Sequence, residues 1–88
     1  MHEKFKCKIA TPLGNVFDST VERVTIPTES GEITVLAHHE PLVALARKGA
    51  AILEIEDSSE KHFELGEGVV EMRRDGTLLL LLESAVEK

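Results

Sequence analysis

The sequence predicts an all-β fold, with its strands arranged as an antiparallel β-sandwich or barrel. Short segments alternate between apolar and polar residues, as half-buried strands do. Turn-forming residues separate these segments at short, regular intervals. The length of 88 residues suits one domain, and 42% apolar with 30% charged residues is the composition of a globular protein.

The first strand shows the alternation most clearly. In Lys4–Ile9, the side chains of Phe5, Cys7 and Ile9 share one face and three lysines share the other. The same pattern predicts further strands at residues 16–17, 21–26, 33–36, 51–56, 62–65, 70–73 and 78–82. Turns are predicted at residues 11–15, 27–31, 57–60 and 66–68, and Asp75-Gly76 is a strong hairpin signal.

Residues 41–48 can be read in two ways. Pro41 at a first turn, Arg47-Lys48 near the end and Gly49 after it suit a short helix. About eight residues are marginal for a helix, however, and the neighbouring segments are all predicted strands. The residues favour a strand and leave the helix open.

Residues 78–82 are five consecutive leucines, which do not alternate. Three of them can face the interior, so Leu79 and Leu81 point to the other side. Burying a leucine contributes about 1.5–3 kcal/mol, so two water-facing leucines are costly for a small domain. We expect Leu79 and Leu81 either to be covered by a loop or the chain's own tail, or to form an apolar partner face.

The last five residues are the least defined part of the pattern. Ser84-Ala85-Val86-Glu87 has the spacing of a helix capping box, and the chain then stops. We expect either a frayed terminus or the first residues of a helix. The predicted sandwich domain therefore covers residues 1–83, and residues 84–88 are a short tail.

Composition argues against several classes of protein. The net charge of −6 and the absence of Tyr and Trp disfavour nucleic-acid binding. Cys7 is the single cysteine, which excludes an internal disulfide and fits a reducing cytoplasm. Met1–Lys4 leads directly into a strand and does not resemble a signal peptide, and no apolar run approaches the ~20 residues of a membrane span. We expect a soluble, acidic protein.

Histidines are the strongest hint of metal chemistry. His38 and His39 are adjacent, so on a strand they would point to opposite faces and not easily share an ion. His62 and Cys7 lack the spacing of metal ligands. No phosphate-binding loop, nucleophile elbow or catalytic triad is recognisable. We expect no metal, cofactor or catalysis, and a metal-dependent protein built on the histidines is the weaker alternative.

The stretch Ser30–Leu45 resembles the signature region of the epsilon subunit of F-type ATP synthases. In that family the pattern is roughly Gly-Glu-x-Gly-x-x-Pro-Gly-His-Ala-Pro-Leu. Gly31-Glu32, His39 and Pro41-Leu42 match it in register. Collinear similarities cover nearly the whole chain, at residues 11–12, 16–17, 21–24, 48–49, 66–71 and 78–85. Thr34, Ala37, His38 and Glu40 replace the family's Gly, Pro, Gly and Ala, and Leu79 stands where Thr is common.

The resemblance implies a β-sandwich of two roughly five-stranded sheets and a strand at residues 41–48. It also implies a non-catalytic rotor subunit in the central stalk of a proton-translocating ATP synthase, linking the gamma subunit to the c-ring. By position, Glu32 and His39 would face the c-ring, both at one end of the sandwich. Thr11, Val16 and Val43 would face gamma. The implied location is the cytoplasmic face of a bacterial plasma membrane, peripheral through the complex.

The family's C-terminal helical hairpin, with its nucleotide-binding residues, has no counterpart in these 88 residues. We therefore expect no ATP binding by this sequence. The alternative function is a free-standing β-sandwich module that binds a protein, or itself, through Leu79 and Leu81.

Overall fold

The computed structural model describes residues 3–88, which form ten β-strands. In chain order these are β1 (Phe5–Thr11), β2 (Gly14–Val21), β3 (Arg23–Thr28), β4 (Gly31–Val35), β5 (Leu42–Ala46), β6 (Gly49–Glu56), β7 (Ser59–Leu65), β8 (Gly68–Met72), β9 (Leu78–Leu82) and β10 (Ala85–Glu87). Met1 and His2, the first residues of the predicted domain, lie outside the described residues. Residues 42–46 are a strand, which decides between the two readings of that segment.

The strands form two five-stranded sheets that meet at one point. Sheet I has the order β4-β3-β6-β7-β10, and sheet II has the order β5-β8-β9-β1-β2. The sheets join where Thr28 of β3 pairs with Ala46 of β5. The predicted sandwich of two roughly five-stranded sheets is confirmed.

One pair of strands among the described residues departs from the antiparallel arrangement. β1 and β9 run parallel, with Cys7 opposite Leu78 and Ala10 opposite Leu81. A parallel pair needs a long connection between its strands. Here the connection holds seven other strands, so the pairing of β1 with β9 is a contact between residues far apart in the sequence.

The core lies between the inner faces of the two sheets, as the alternation predicts. Phe5, Cys7 and Ile9 are buried, and so are Leu78 and Leu80. The rings of Phe17 in sheet II and Phe63 in sheet I meet edge to face, with centroids 6.0 Å apart and an interplanar angle of 73°. Such a pair stabilises a core by about 0.5–1.5 kcal/mol beyond the area that it buries.

The end of the chain differs from the prediction. We expected the sandwich to stop at residue 83 and residues 84–88 to be a frayed tail or a helix start, but Ala85–Glu87 form β10, which pairs antiparallel with β7. Ion pairs support this short strand: Lys61 Nζ lies 3.0 Å from Glu87 Oε2, and Lys88 Nζ lies 3.2 Å from Glu64 Oε1. The tail is therefore part of sheet I.

Candidate protein interface

Five apolar side chains occupy the outer face of sheet II, and we call them the apolar face. They are Val43, Leu45, Val69, Leu79 and Leu81. Across the strands, Leu45 pairs with Val69 and Val69 with Leu81. In the adjacent row Glu71 lies between Val43 and Leu79. Because residues paired in register point to the same side of a sheet, these side chains form one surface.

The apolar face is largely open to water. Val43 is 71% exposed, Leu45 52%, Leu81 49% and Val69 37%, while Leu79 is half-buried. The tail does not cover the face, since residues 85–87 belong to sheet I. Removing the exposed half of such a side chain from water contributes on the order of 1 kcal/mol. A contiguous apolar surface of this kind is typical of a protein-binding site.

The β1–β2 hairpin borders the apolar face. Ala10 of β1 pairs with Leu81, and the next residue, Thr11, lines a shallow groove beside it. The Thr11 hydroxyl accepts a hydrogen bond from the Leu13 N–H at 3.1 Å and donates one to the Gly14 carbonyl at 3.3 Å. This turn leaves the Leu13 side chain fully exposed next to the apolar face.

The predicted gamma-facing residues differ in their surroundings. Val43 is one of the most exposed members of the apolar face, and Thr11 lies at its border. Val16 stands at the irregularity between the Ile9–Phe17 and Ala10–Asn15 pairs and packs partly against the core. The structure thus brings Val43, Leu79 and Leu81 onto one face, while Val16 is half-buried and packs partly against the core.

The predicted ring-facing residues lie at opposite ends of β4. The turn before β4 is shorter than predicted, because β3 continues through Thr28, whose hydroxyl accepts a hydrogen bond from the Ser30 N–H at 3.2 Å. Glu32 is therefore an exposed residue at the start of β4, and His39 follows the other end of the strand. We had expected Glu32 and His39 to lie together at one end of the sandwich, but β4 separates them in the structure.

The loop that carries His39 contains a tight turn. The His39 N–H donates to the Leu36 carbonyl at 3.2 Å, and His38 between them has a φ of 66°. Ala37 has no such positive φ, so the turn is type II, in which Pro and Gly are favoured at the two central positions. Ala37-His38 keeps the turn that Pro-Gly favours, at a cost of roughly 1–2 kcal/mol for the left-handed backbone.

Leu45 and Val69 are members of the apolar face that sequence reasoning missed. Strand parity contained the signal for Val69, because Val70 and Met72 alternate with charged residues in the predicted strand at 70–73, so the residue before Val70 belongs to the other face. Leu45 has the parity of Val43 but lies in the segment whose secondary structure was ambiguous. The alignment of both residues with Leu81 follows from strand pairing, which parity alone does not define.

No site for metal or nucleophilic chemistry is evident within residues 3–88. No three His, Cys, Asp or Glu side chains of this range are grouped to hold an ion. His62 lies 3.1 Å from Glu60 on sheet I, whereas His38 and His39 lie in the β4–β5 loop. Burial raises the pKa of the Cys7 thiol to about 12, so this thiol stays protonated and unreactive near neutral pH. The same range contains no helix long and apolar enough to cross a membrane.

Comparison with known proteins identifies the domain. Residues 4–88 match the family model described as the ATP synthase delta/epsilon chain, β-sandwich domain. ATP synthase epsilon chains of a Sulfurovum species and of Sulfurimonas denitrificans are 35% and 37% identical to this chain, over 90% and 94% of its length. The matches cover 62% and 63% of those relatives, so the chain spans less than two thirds of their length.

Solved structures agree on the fold. A chain in the Euglena gracilis mitochondrial ATP synthase has a TM-score of 0.89 at 22% identity, and the match covers 96% of this chain and 53% of that one. A chain in the central stalk and c-ring of the Tetrahymena thermophila mitochondrial ATP synthase has a TM-score of 0.78 at 14% identity, with 97% and 67% covered. At these identities the likeness concerns the fold, whereas the family match rests on sequence. The chain belongs to the family of ATP synthase delta/epsilon chain β-sandwich domains.

Proposed function

We propose that this chain acts as a non-catalytic rotor component of an F-type ATP synthase, with its apolar face docked on the gamma subunit. The observation that carries the proposal is the apolar face itself, an exposed surface on one sheet of a domain from this family. Val43, Leu79 and Leu81 are three of its five members, and Thr11 lies at its border. In this arrangement the domain transmits torque through a rigid sandwich and needs no cofactor.

The ring-facing role is a separate part of the proposal. Glu32 is exposed and His39 is half-buried, with its Nδ1 2.7 Å from the Glu40 carbonyl oxygen. Since β4 separates Glu32 from His39, both residues can face the c-ring only if the ring lies along β4, which is an edge strand of sheet I. Such an orientation would hold the protein peripheral to the membrane, and we place it on the cytoplasmic side of a bacterial plasma membrane.

Binding to gamma tests the main proposal. Purified chain should bind recombinant gamma at micromolar concentration in a calorimetric titration. Val43→Ser with Leu81→Ser should weaken binding at least about tenfold, because the burial of these two apolar side chains would no longer contribute to the binding free energy. Val86→Ser is the matched control, since Val86 is 63% exposed on β10 of sheet I and should not affect binding.

Self-association is the alternative that the same surface favours. If the chain is a free-standing module, sedimentation will show a dimer without gamma, and Val43→Ser with Leu81→Ser will convert it to a monomer. Absence of gamma binding by the unaltered chain, together with such a dimer, would contradict the rotor proposal. A monomer that binds gamma supports it.

A further inference from the structure

A cleft at one end of the sandwich collects positive charge in a protein that is acidic overall. It has a volume of about 600 Å³, and three segments line it: residues 3–6, 37–41 and 73–77. Its cationic side chains are four of the chain's ten lysines and arginines, namely Lys4, Lys6, Arg73 and Arg74. Its acids are Glu3, Glu40 and Asp75. Four positive and three negative groups give the lining a net charge of +1. Since the whole chain has a net charge of −6, the rest of the chain carries −7.

Two of the three acids are already engaged with other groups. Glu3 Oε1 lies 2.9 Å from His38 Nε2. The Asp75 carboxylate accepts a hydrogen bond from the Thr77 N–H at 2.9 Å, which contributes to lowering the pKa of Asp75. Their charge is therefore partly satisfied within the wall of the cleft.

The four cations are engaged to different extents. Lys4 is paired with Glu56, whereas no carboxylate in residues 3–88 forms an ion pair with Lys6, Arg73 or Arg74. The charge of Arg73 contributes to lowering the pKa of Asp75, so Arg73 is partly engaged and Lys6 and Arg74 are not. In a chain with sixteen acidic and ten basic residues, unpaired cations gathered at one cleft favour an external anion.

The β8–β9 hairpin holds the two arginines next to each other. The Arg73 N–H donates to the Thr77 carbonyl at 2.9 Å, and the Gly76 N–H donates to the Arg73 carbonyl at 3.0 Å. Gly76 has a φ of 90°, which permits this tight turn. Each guanidinium offers paired N–H donors that match the spacing of phosphate oxygens.

His38 and His39 line the opposite wall of the cleft. Glu22 lies by His38 in a neighbouring hollow and adds a further acid to that side.

We infer that this cleft binds a doubly charged phosphate group, with Arg73, Arg74 and Lys6 as its ligands. A single carboxylate carries too little charge to satisfy three cations that form no ion pair within the described residues, whereas a phosphate dianion offers three or more acceptor oxygens. The inference does not rest on the rotor function, because the cleft is complete within the chain.

Amide NMR at pH 6.0 with inorganic pyrophosphate as the probe tests this site. We expect saturable shifts confined to residues 3–6, 37–41 and 73–77. Arg73→Gln with Arg74→Gln should weaken binding about tenfold or more, since each removes charge-assisted hydrogen bonds. Arg47→Gln with Lys48→Gln is the matched control, because it removes two exposed charges outside the cleft and should change the affinity less than about twofold.

Vesicles separate the two sources of the phosphate group. If the source is a lipid headgroup, the chain sediments with phosphatidic acid vesicles and not with phosphatidylcholine vesicles. The variant with Arg73→Gln and Arg74→Gln then no longer sediments with the phosphatidic acid vesicles. If the source is a free phosphate compound, pyrophosphate binds and neither vesicle does. No binding of either probe, or equal weakening by the arginine variant and its control, would overturn the inference.

Discussion

The two sheets have similar inner faces and very different outer faces. On sheet I, Glu54 lies directly opposite Glu60 across β6 and β7, an arrangement that like charges make unfavourable. Arg23 lies 3.5 Å from Glu54, so its positive charge offsets part of the repulsion, and His62 Nε2 lies 3.1 Å from Glu60. On sheet II the corresponding surface is the apolar face, where side chains have neither charge partners nor a covering element.

This difference shows which residues packing determines and which it leaves free. Inward residues of both sheets must be apolar, because they share one core. Outward residues have no such common requirement, so they reflect what each surface meets. By our proposal these are gamma on sheet II and, on sheet I, water except along β4, which faces the c-ring. Substitutions that act on one side of a sheet at a time can test this division.

The largest difference in stability is expected between substitutions of two neighbouring leucines of β9. Leu80 is fully buried, so Leu80→Ala should lower the free energy of unfolding by about 2–5 kcal/mol. Leu81→Ala, one residue later on the apolar face, should lower it by less than about 1 kcal/mol. Urea unfolding of both variants gives the comparison. A loss at Leu81 as large as that at Leu80 would mean that the apolar face is part of the core.

A smaller loss of stability is expected from a substitution at Gly68, where β8 packs closely against β9 beneath the apolar face. A Cβ at Gly68 would lie 2.1 Å from the Leu81 carbonyl oxygen and 2.7 Å from the Leu82 Cα, both backbone atoms that cannot move aside. Gly68→Ala should therefore destabilise the fold by about 1–3 kcal/mol and shift the amide resonances of β9.

Gly66→Ala is the control for this variant. A Cβ there would meet Ser84 Oγ and Glu83 Cγ, side-chain atoms that can rotate away, and the nearest backbone atom, the Ser84 nitrogen, is 3.2 Å away, farther than the backbone atoms at Gly68. It should cost less than Gly68→Ala in the same urea experiment. An equal cost for the two glycines would argue against tight backbone packing between β8 and β9.

Local pattern predicted the strands and their inward residues well, because alternation is a property of each segment by itself. It could not predict β10, since three residues are too short for a pattern and their strand depends on β7. The apolar face was predicted only in part: parity showed that Leu79 and Leu81 point outward, but not that Leu45 and Val69 lie beside them. The separation of Glu32 from His39 was within reach of the same pattern, because the strand predicted at residues 33–36 already lies between them, whereas the family resemblance had placed both at one end of the sandwich.

The smallest effect concerns the link between the two sheets at their edge. Lys4, just before β1 of sheet II, is paired with Glu56, the last residue of β6 in sheet I. The hydrogen bond and charge of Lys4 lower the pKa of Glu56 below its ordinary value of 4.5, and both groups are exposed. Because the folded carboxyl holds its proton less tightly than the unfolded one, its contribution to stability is complete above pH 4.5 and is lost as the pH falls through the lowered pKa. Thermal unfolding should therefore show a slightly larger decrease of Tm on acidification for the unaltered chain than for Glu56→Gln.

The stabilisation by the Lys4–Glu56 ion pair should also shrink at 1 M salt, as that of exposed ion pairs does, while binding of the apolar face to gamma should not weaken. If high salt weakened gamma binding as strongly as it weakened this ion pair, the contact would be electrostatic, and the contrast between the two outer faces would have to be abandoned.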